Sequence, residues 1–129
     1  MKKNIPSKKS IKELTDFLTL LYSNEIEISK TESKGDLISG GFYTYHPSVI
    51  KFFEIASQEH WKDYQYVDNF SEKMIEPGKI EEASINQIKT IITWCDRAER
   101  FVEGHWENVI KNDIIKRVLL RLKQIEVKI

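Results

Sequence analysis

Apolar residues recur every three or four positions along most of the chain, which is the period of an amphipathic helix. No repeat or linker interrupts this pattern, and the chain has 129 residues, enough for one domain. We therefore expect an all-α fold, a compact single-domain bundle of five to six helices over residues 10–129. The helices are predicted over residues 11–23, 47–58, 85–103, 106–112 and 113–126.

Local residue choices mark where these helices begin and end. Ser10 and Ser84 each open a capping box, in which a serine and a Glu or Gln three positions later bond the free amides of the first turn. Pro47 suits the first position of a helix because it has no amide to satisfy there. Gly104 and Asn112 stand where a left-handed residue commonly ends a helix.

Four stretches fit the helical period less well. Residues 1–9 are polar and are expected to form a flexible tail. Residues 24–41 are rich in Gly, Ser and Thr and predict a long loop, with disorder left open, that leads into a short extended segment near residues 42–45. Residues 61–74 carry a weaker helical pattern, which partly matches the two-residue alternation of a strand as well.

The 20 basic and 20 acidic side chains cancel, so no overall positive field draws the protein to nucleic acid or to an anionic membrane. Their distribution is uneven. Residues 1–12 contain five lysines and no acid, and residues 111–129 contain six basic and two acidic residues. The ends of the chain are therefore basic and the middle is acidic.

The sequence contains no motif typical of a metal site, a phosphate-binding loop or a nucleophilic serine. The three histidines, His46, His60 and His105, lack metal-binding spacing, and no glycine-rich phosphate loop or nucleophile elbow is present. We expect no metal or cofactor. The single cysteine, Cys95, lies in an apolar pattern and predicts an inert buried thiol in a cytoplasmic protein. No run approaches the ~20 apolar residues of a membrane span.

One segment, residues 96–106, is dense in polar side chains around the end of the predicted central helix. Two guanidinium groups beside a histidine and a carboxylate can hold an anion, with His105 or Glu103 moving a proton. The alternative is that the same side chains tie two helices together. The candidate ligand-binding residues are Arg97, Arg100, Glu103, His105 and Trp106.

The order Arg-x-x-Arg-Phe-x-Glu-Gly-His over residues 97–105, followed by a turn and a helix containing Leu-x-Arg-Leu, resembles a family of small, mostly bacterial proteins classed as a domain of unknown function, DUF6508. Residues 45–50 are similar to that family's approach to a helix. The resemblance covers roughly residues 42–125, with Asn112 where the family tends to have glycine. It implies one compact helical domain and brings no activity, substrate or cofactor.

Three functional hypotheses remain open. The favoured one is a non-enzymatic cytoplasmic module that binds a protein partner or a second copy of itself, because Val118, Leu119 and Leu120 give the last helix a broad apolar stripe. The alternative is a sensor or enzyme for a small anion at the cluster within residues 96–106. Nucleic-acid contact is the hypothesis that the charge balance supports least. Its candidate residues are Lys116, Arg117, Arg121 and Lys123.

Overall fold

Helices carry most of the fold in this computed structural model, which describes residues 6–22, 26–32 and 42–128. The predicted all-α class is confirmed. The α-helices are α1 (Lys8–Thr15), α2 (Phe17–Tyr22), α3 (Pro47–Ala56), α4 (Tyr66–Asn69), α5 (Ile85–Arg97), α6 (His105–Lys111) and α7 (Ile114–Val127). Single turns of 3-10 helix lie at Glu59–Trp61, Glu72–Ile75, Ile80–Glu82 and Ala98–Arg100.

Two short strands pair beside the helices. β1 (Ser29–Glu32) runs antiparallel to β2 (Phe42–Tyr45), with Ser29 opposite Tyr45. The extended segment at residues 42–45 is confirmed, whereas the predicted loop is wrong at residues 29–32. That strand is defined by its pairing with β2, and its own polar residues carry no alternating apolar pattern that reveals it. The remainder of the predicted loop, residues 24–25 and 33–41, lies outside the described residues.

The first helix starts earlier than the sequence predicts. Ser7 is the N-cap, and its side-chain oxygen accepts a hydrogen bond of 3.1 Å from the amide of Ser10. The capping box at Ser10 is therefore wrong, because that residue already lies inside α1. Lys8 and Lys9 belong to the helix and not to the expected tail, of which residues 1–5 are outside the described part.

Of the other four positions, Ser84, Pro47 and Gly104 have the predicted local conformation. Both hydrogen bonds of the capping box at Ser84 form, and Pro47 opens α3. Gly104 is left-handed, with φ of 92°. The prediction for Asn112 is wrong, because its φ is −90° and the next residue, Asp113, has the left-handed conformation with φ of 66°. Aspartate tolerates that region for the same reason as asparagine, since its short side chain can bond the local backbone.

Residues 61–74 do not form the single helix that their weaker pattern predicts. They are divided into short helical turns, and the side chain of Asp63 accepts a 2.9 Å hydrogen bond from the amide of Gln65 between them. Trp61 is fully buried, whereas Val67 is 75 % exposed. Helical spacing alone therefore overestimated how regular the segment is.

The central helix ends sooner than predicted. The pattern extended it to residue 103, but α5 ends at Arg97 and the chain continues as residues 98–104, which we call the 98–104 turn. Phe101 and Val102, expected to face the core, are 80 % and 59 % exposed. The apolar period continues through the turn although the helix does not.

The buried apolar side chains form one cluster that extends from Ile11 in α1 to Leu122 in α7. Val118 and Leu119 of α7 are fully buried in this cluster, and Leu120 is 46 % exposed. Most of the apolar stripe on the last helix is therefore used by the protein's own core.

Two arginines on α7 donate hydrogen bonds to the segment that precedes α5. Arg117 donates hydrogen bonds to the carbonyls of Ile75 and Glu76, at 3.0 and 2.9 Å, and to the carboxylate of Glu81. Arg121 donates through Nε to a backbone carbonyl, that of Ala83, at 2.9 Å. Both guanidinium groups therefore serve the protein's own backbone.

We expect Arg117→Ala to lower the free energy of unfolding by about 1–3 kcal/mol, because two backbone carbonyls lose a charged donor. Hydrogen bonding from Arg117 also lowers the pKa of Glu81 to about 2. The contribution of the Glu81 carboxylate to stability is therefore present above the ordinary pKa of that group and is lost as the pH falls from about 4.5 towards 2. The variant should lack this acid-dependent component.

Urea denaturation at pH 7 and at a series of lower pH values measures both effects. Lys123→Ala, an exposed cation on the same helix, is the control and should change stability by less than about 0.5 kcal/mol. Equal stability of the two variants would contradict the role assigned to Arg117.

Candidate functional site

An open cleft of about 420 Å³ lies between α3, the segment that follows it and the end of α5. We call it the arginine cleft. Its lining combines aromatic rings, cations and carboxylates. These residues are Phe53, Trp106, Lys62, Arg97, Arg100, Glu54, Asp96 and Glu99, together with Ile50 and Ser57.

Two stacked aromatic rings form the floor of the arginine cleft. The ring centroids of Phe53 and Trp106 are 4.4 Å apart, with an interplanar angle of 9°. The indole Nε1 of Trp106 donates a 3.1 Å hydrogen bond to the backbone carbonyl of Asp96, and the ring of Tyr45 lies 5.1 Å away on another side. Since both its face and its polar edge are engaged, Trp106 is fixed in place.

Glu99 holds the 98–104 turn against the rest of the molecule. Its carboxylate accepts hydrogen bonds from the amides of Trp106 and Gly104, at 2.8 and 3.2 Å, and from the hydroxyl of Tyr45, 3.0 Å from both oxygens. Gly104, the N-cap of α6, has no side chain to satisfy the first amides of the helix. Glu99 supplies that acceptor from the preceding turn.

Arg97 and Arg100 differ from the other arginines of the chain. The sequence contains four arginines, and the structure describes all of them. Arg117 and Arg121 bond the protein's own carbonyls, whereas Arg97 and Arg100 form no hydrogen bond or ion pair with any described residue. Both of these guanidinium groups belong to the lining of the arginine cleft.

The pKa of Asp96 is shifted by its surroundings in the arginine cleft. The residue is half-buried, and burial raises its pKa above the ordinary value, although the charges of Arg97, Arg100 and Lys62 oppose that rise. Three cations therefore favour the charged form of one carboxylate that loses part of its hydration. The cleft as a whole is mixed in charge and not uniformly positive.

Comparison with known proteins identifies the family. A family model described as "Family of unknown function (DUF6508)" matches residues 6–128. The chain belongs to this family. Among curated proteins and among solved structures, nothing matches the chain. The DUF6508 match includes the whole lining of the arginine cleft and confirms the resemblance noted from the sequence.

The structure divides the candidate residues of this DUF6508 chain between two cavities. Arg97, Arg100 and Trp106 line the arginine cleft, whereas Glu103 and His105 line a separate opening of about 360 Å³. The two cavities share no lining residue. The sequence places these side chains close together along the chain, but the 98–104 turn directs them to different surfaces.

His105 is a largely buried residue, 8 % exposed. Its ring packs edge-on against Trp94, with centroids 4.6 Å apart, and its Nε2 is buried without a hydrogen-bond partner among the described residues. Burial lowers the pKa of His105, although the negative charge of Glu99 opposes this shift. The neutral ring therefore packs as an aromatic side chain at neutral pH.

Other chemical groups of this DUF6508 chain are placed as follows. Cys95 is fully buried, and burial raises the pKa of its thiol, so the thiolate form is disfavoured. In the part of the chain that the structure describes, no three His, Cys, Asp or Glu side chains meet as metal ligands. Nor, within that part, does any helix combine the length and the apolar character that crossing a bilayer requires.

Sequence reasoning found the two arginines but missed several of their neighbours. Lys62 reaches the cleft from a segment more than 30 residues earlier, and Phe53 comes from α3. Glu99 lies within the polar segment 96–106 but is not among the candidate residues predicted from the sequence. A carboxylate five residues before Gly104 does not by itself predict that it caps the next helix.

Proposed function

We propose that this protein is a non-enzymatic binding module whose arginine cleft holds an anionic group of its partner, a carboxylate or a phosphate. The observation that carries the proposal is that Arg97 and Arg100 have no hydrogen-bond or ion-pair partner among the described residues and line a cleft together with the stacked rings of Phe53 and Trp106. A guanidinium group presents parallel N–H donors that match the oxygens of either anion.

The chemistry within the cleft favours binding over catalysis. An enzyme built on the predicted cluster requires Glu103 and His105 beside the arginines, and these two residues line a different cavity. Within the arginine cleft, Glu99 is already occupied by three donors. No histidine or cysteine lines the cleft to serve as a base or a nucleophile.

The competing hypotheses have weaker support. Self-association through α7 relied on Val118, Leu119 and Leu120, of which the first two pack in the protein's own core and Leu120 is 46 % exposed. Nucleic-acid contact relied on Lys116, Arg117, Arg121 and Lys123. The two arginines donate to backbone carbonyls, and the two lysines are exposed. Cys95 as a free thiol suits a reducing compartment, so we expect the module to act in the cytoplasm.

Thermal unfolding with inorganic phosphate, pyrophosphate and citrate tests the proposal. At about one hundred times the Kd, a ligand stabilises the folded state by ~2.7 kcal/mol, which raises the Tm by several degrees. We expect such a rise for the wild type and its loss in the double variant Arg97→Ala/Arg100→Ala. Added NaCl should weaken the effect, since salt screens charge pairs.

The matched control is Lys8→Ala/Lys9→Ala, which removes the same formal charge from two exposed residues of α1. This variant should respond to the anions as the wild type does. The proposal fails if none of the anions stabilises the wild type, or if both double variants lose the response equally.

A further inference from the structure

A cavity of about 260 Å³, which we call the second cavity, adjoins the arginine cleft. It is separate from the opening that Glu103 and His105 line. Lys62 lines both cavities, and the second one is also lined by Lys89, Asn69 and Asn86. We infer that the two cavities act as one continuous groove that binds an extended acidic peptide segment of a partner protein. This inference rests on the proposed function, because the arginine cleft is one end of the groove.

Two cations of the groove, Lys89 and Arg97, lie on α5, and Arg100 lies on the 98–104 turn that follows this helix. Lys89 and Arg97 are eight residues apart, which places them about 80° apart around the helix axis at ~3.6 residues per turn, and Arg100 is three residues beyond the end of α5. At ~1.5 Å per residue in α5 and ~2.0 Å per residue in the 3-10 turn, Lys89 and Arg100 are separated by roughly 18 Å along the chain. An extended peptide advances ~3.3 Å per residue, so about five residues span this distance.

Carboxylates in the same groove favour a peptide over a uniformly charged polymer. Asp63 lines the second cavity, and Glu54 and Asp96 line the arginine cleft. A nucleic-acid strand carries a negative charge at every nucleotide and meets repulsion at these positions. A peptide places acidic side chains only where the cations are. The balanced overall charge of the protein is consistent with such local recognition.

The groove also offers contacts that suit the other parts of a peptide. Ile50, on the wall of the arginine cleft, is 44 % exposed and can pack against an apolar side chain. Phe53 and Trp106, which stack on each other, add aromatic surface to the same cleft. Aromatic and arginine side chains together are typical of the residues that dominate protein interfaces.

Calorimetric titration with blocked peptides tests the inference. The probes are a five-residue peptide, acetyl-Glu-Leu-Glu-Leu-Glu-amide, and a dipeptide, acetyl-Glu-Glu-amide. We expect the longer peptide to bind at least about tenfold more tightly, because it reaches both cavities. Lys89→Gln should weaken only the longer peptide, by about fivefold, whereas Arg97→Ala/Arg100→Ala should weaken both. Lys51→Gln, an exposed lysine of α3, is the control and should weaken neither.

Each contrary outcome has a distinct meaning. Equal affinity for the two peptides, unchanged by Lys89→Gln, overturns the groove and leaves the anion site of the arginine cleft in place. Tighter binding of a five-nucleotide thymidine strand, sensitive to the same variants, overturns the peptide in favour of nucleic acid. If neither peptide binds and phosphate, pyrophosphate and citrate have no effect either, the proposed function fails with the inference.

Discussion

Phe52→Ala is expected to lower the free energy of unfolding by about 3–5 kcal/mol, the cost typical of removing a buried aromatic ring. Phe52 is fully buried in α3, and its ring lies 5.4 Å from that of Phe17 and 5.0 Å from that of Phe53, both in edge-on geometry. Alanine removes both contacts and leaves a cavity between α2 and α3. Urea denaturation followed by circular dichroism measures the change.

Phe101→Ala provides the matched control, since it is the same substitution at a position that the helical period also assigns to the core. The side chain of Phe101 is 80 % exposed, so its loss should change stability by less than about 0.5 kcal/mol. Comparable losses at Phe52 and Phe101 would contradict the placement of the 98–104 turn outside the core.

Glu99→Ala is expected to cost about 2–4 kcal/mol, because three donors lose their charged acceptor at once. These donors are the hydroxyl of Tyr45 and the amides of Gly104 and Trp106. Glu99→Gln should fall between the alanine variant and the wild type, since its amide retains one carbonyl oxygen as an acceptor. Thermal and urea unfolding at pH 7 give the order of the three proteins.

Glu103→Ala separates this role from a general effect of charge near the turn. Glu103 is exposed and makes no hydrogen bond or ion pair with a described residue, so we expect a change below about 0.5 kcal/mol. If Glu103→Ala proved as damaging as Glu99→Ala, the assignment of the capping role to Glu99 would be wrong.

The parts of the fold that the sequence predicted well depend on neighbours in the chain. The capping box at Ser84 closes within one turn, and the left-handed position of Gly104 reflects its own backbone freedom. The end of α5 was missed because it depends on distant contacts. The hydroxyl that helps to hold Glu99 belongs to Tyr45, 54 residues away along the chain.

The candidate site was predicted in part for the same reason. Arg97 and Arg100 share a helix face, so their proximity follows from the sequence alone. The position of His105 does not, because the turn between it and Arg100 reverses the chain. Lys62 joins the arginine cleft only through packing, which no local pattern indicates. The sequence therefore identified the two arginines and Trp106, but not the residues that α3 and the segment after it add to the cleft.

Trp106 has a practical consequence for studying this protein. Of the three tryptophans, Trp61 is fully buried and Trp94 stacks on Phe70, whereas Trp106 lines the arginine cleft. Excitation near 295 nm therefore yields an emission signal with one component at the proposed recognition surface. With Trp61 and Trp94 replaced by phenylalanine, that emission becomes a label-free optical reporter for measuring how quickly ligands arrive and depart.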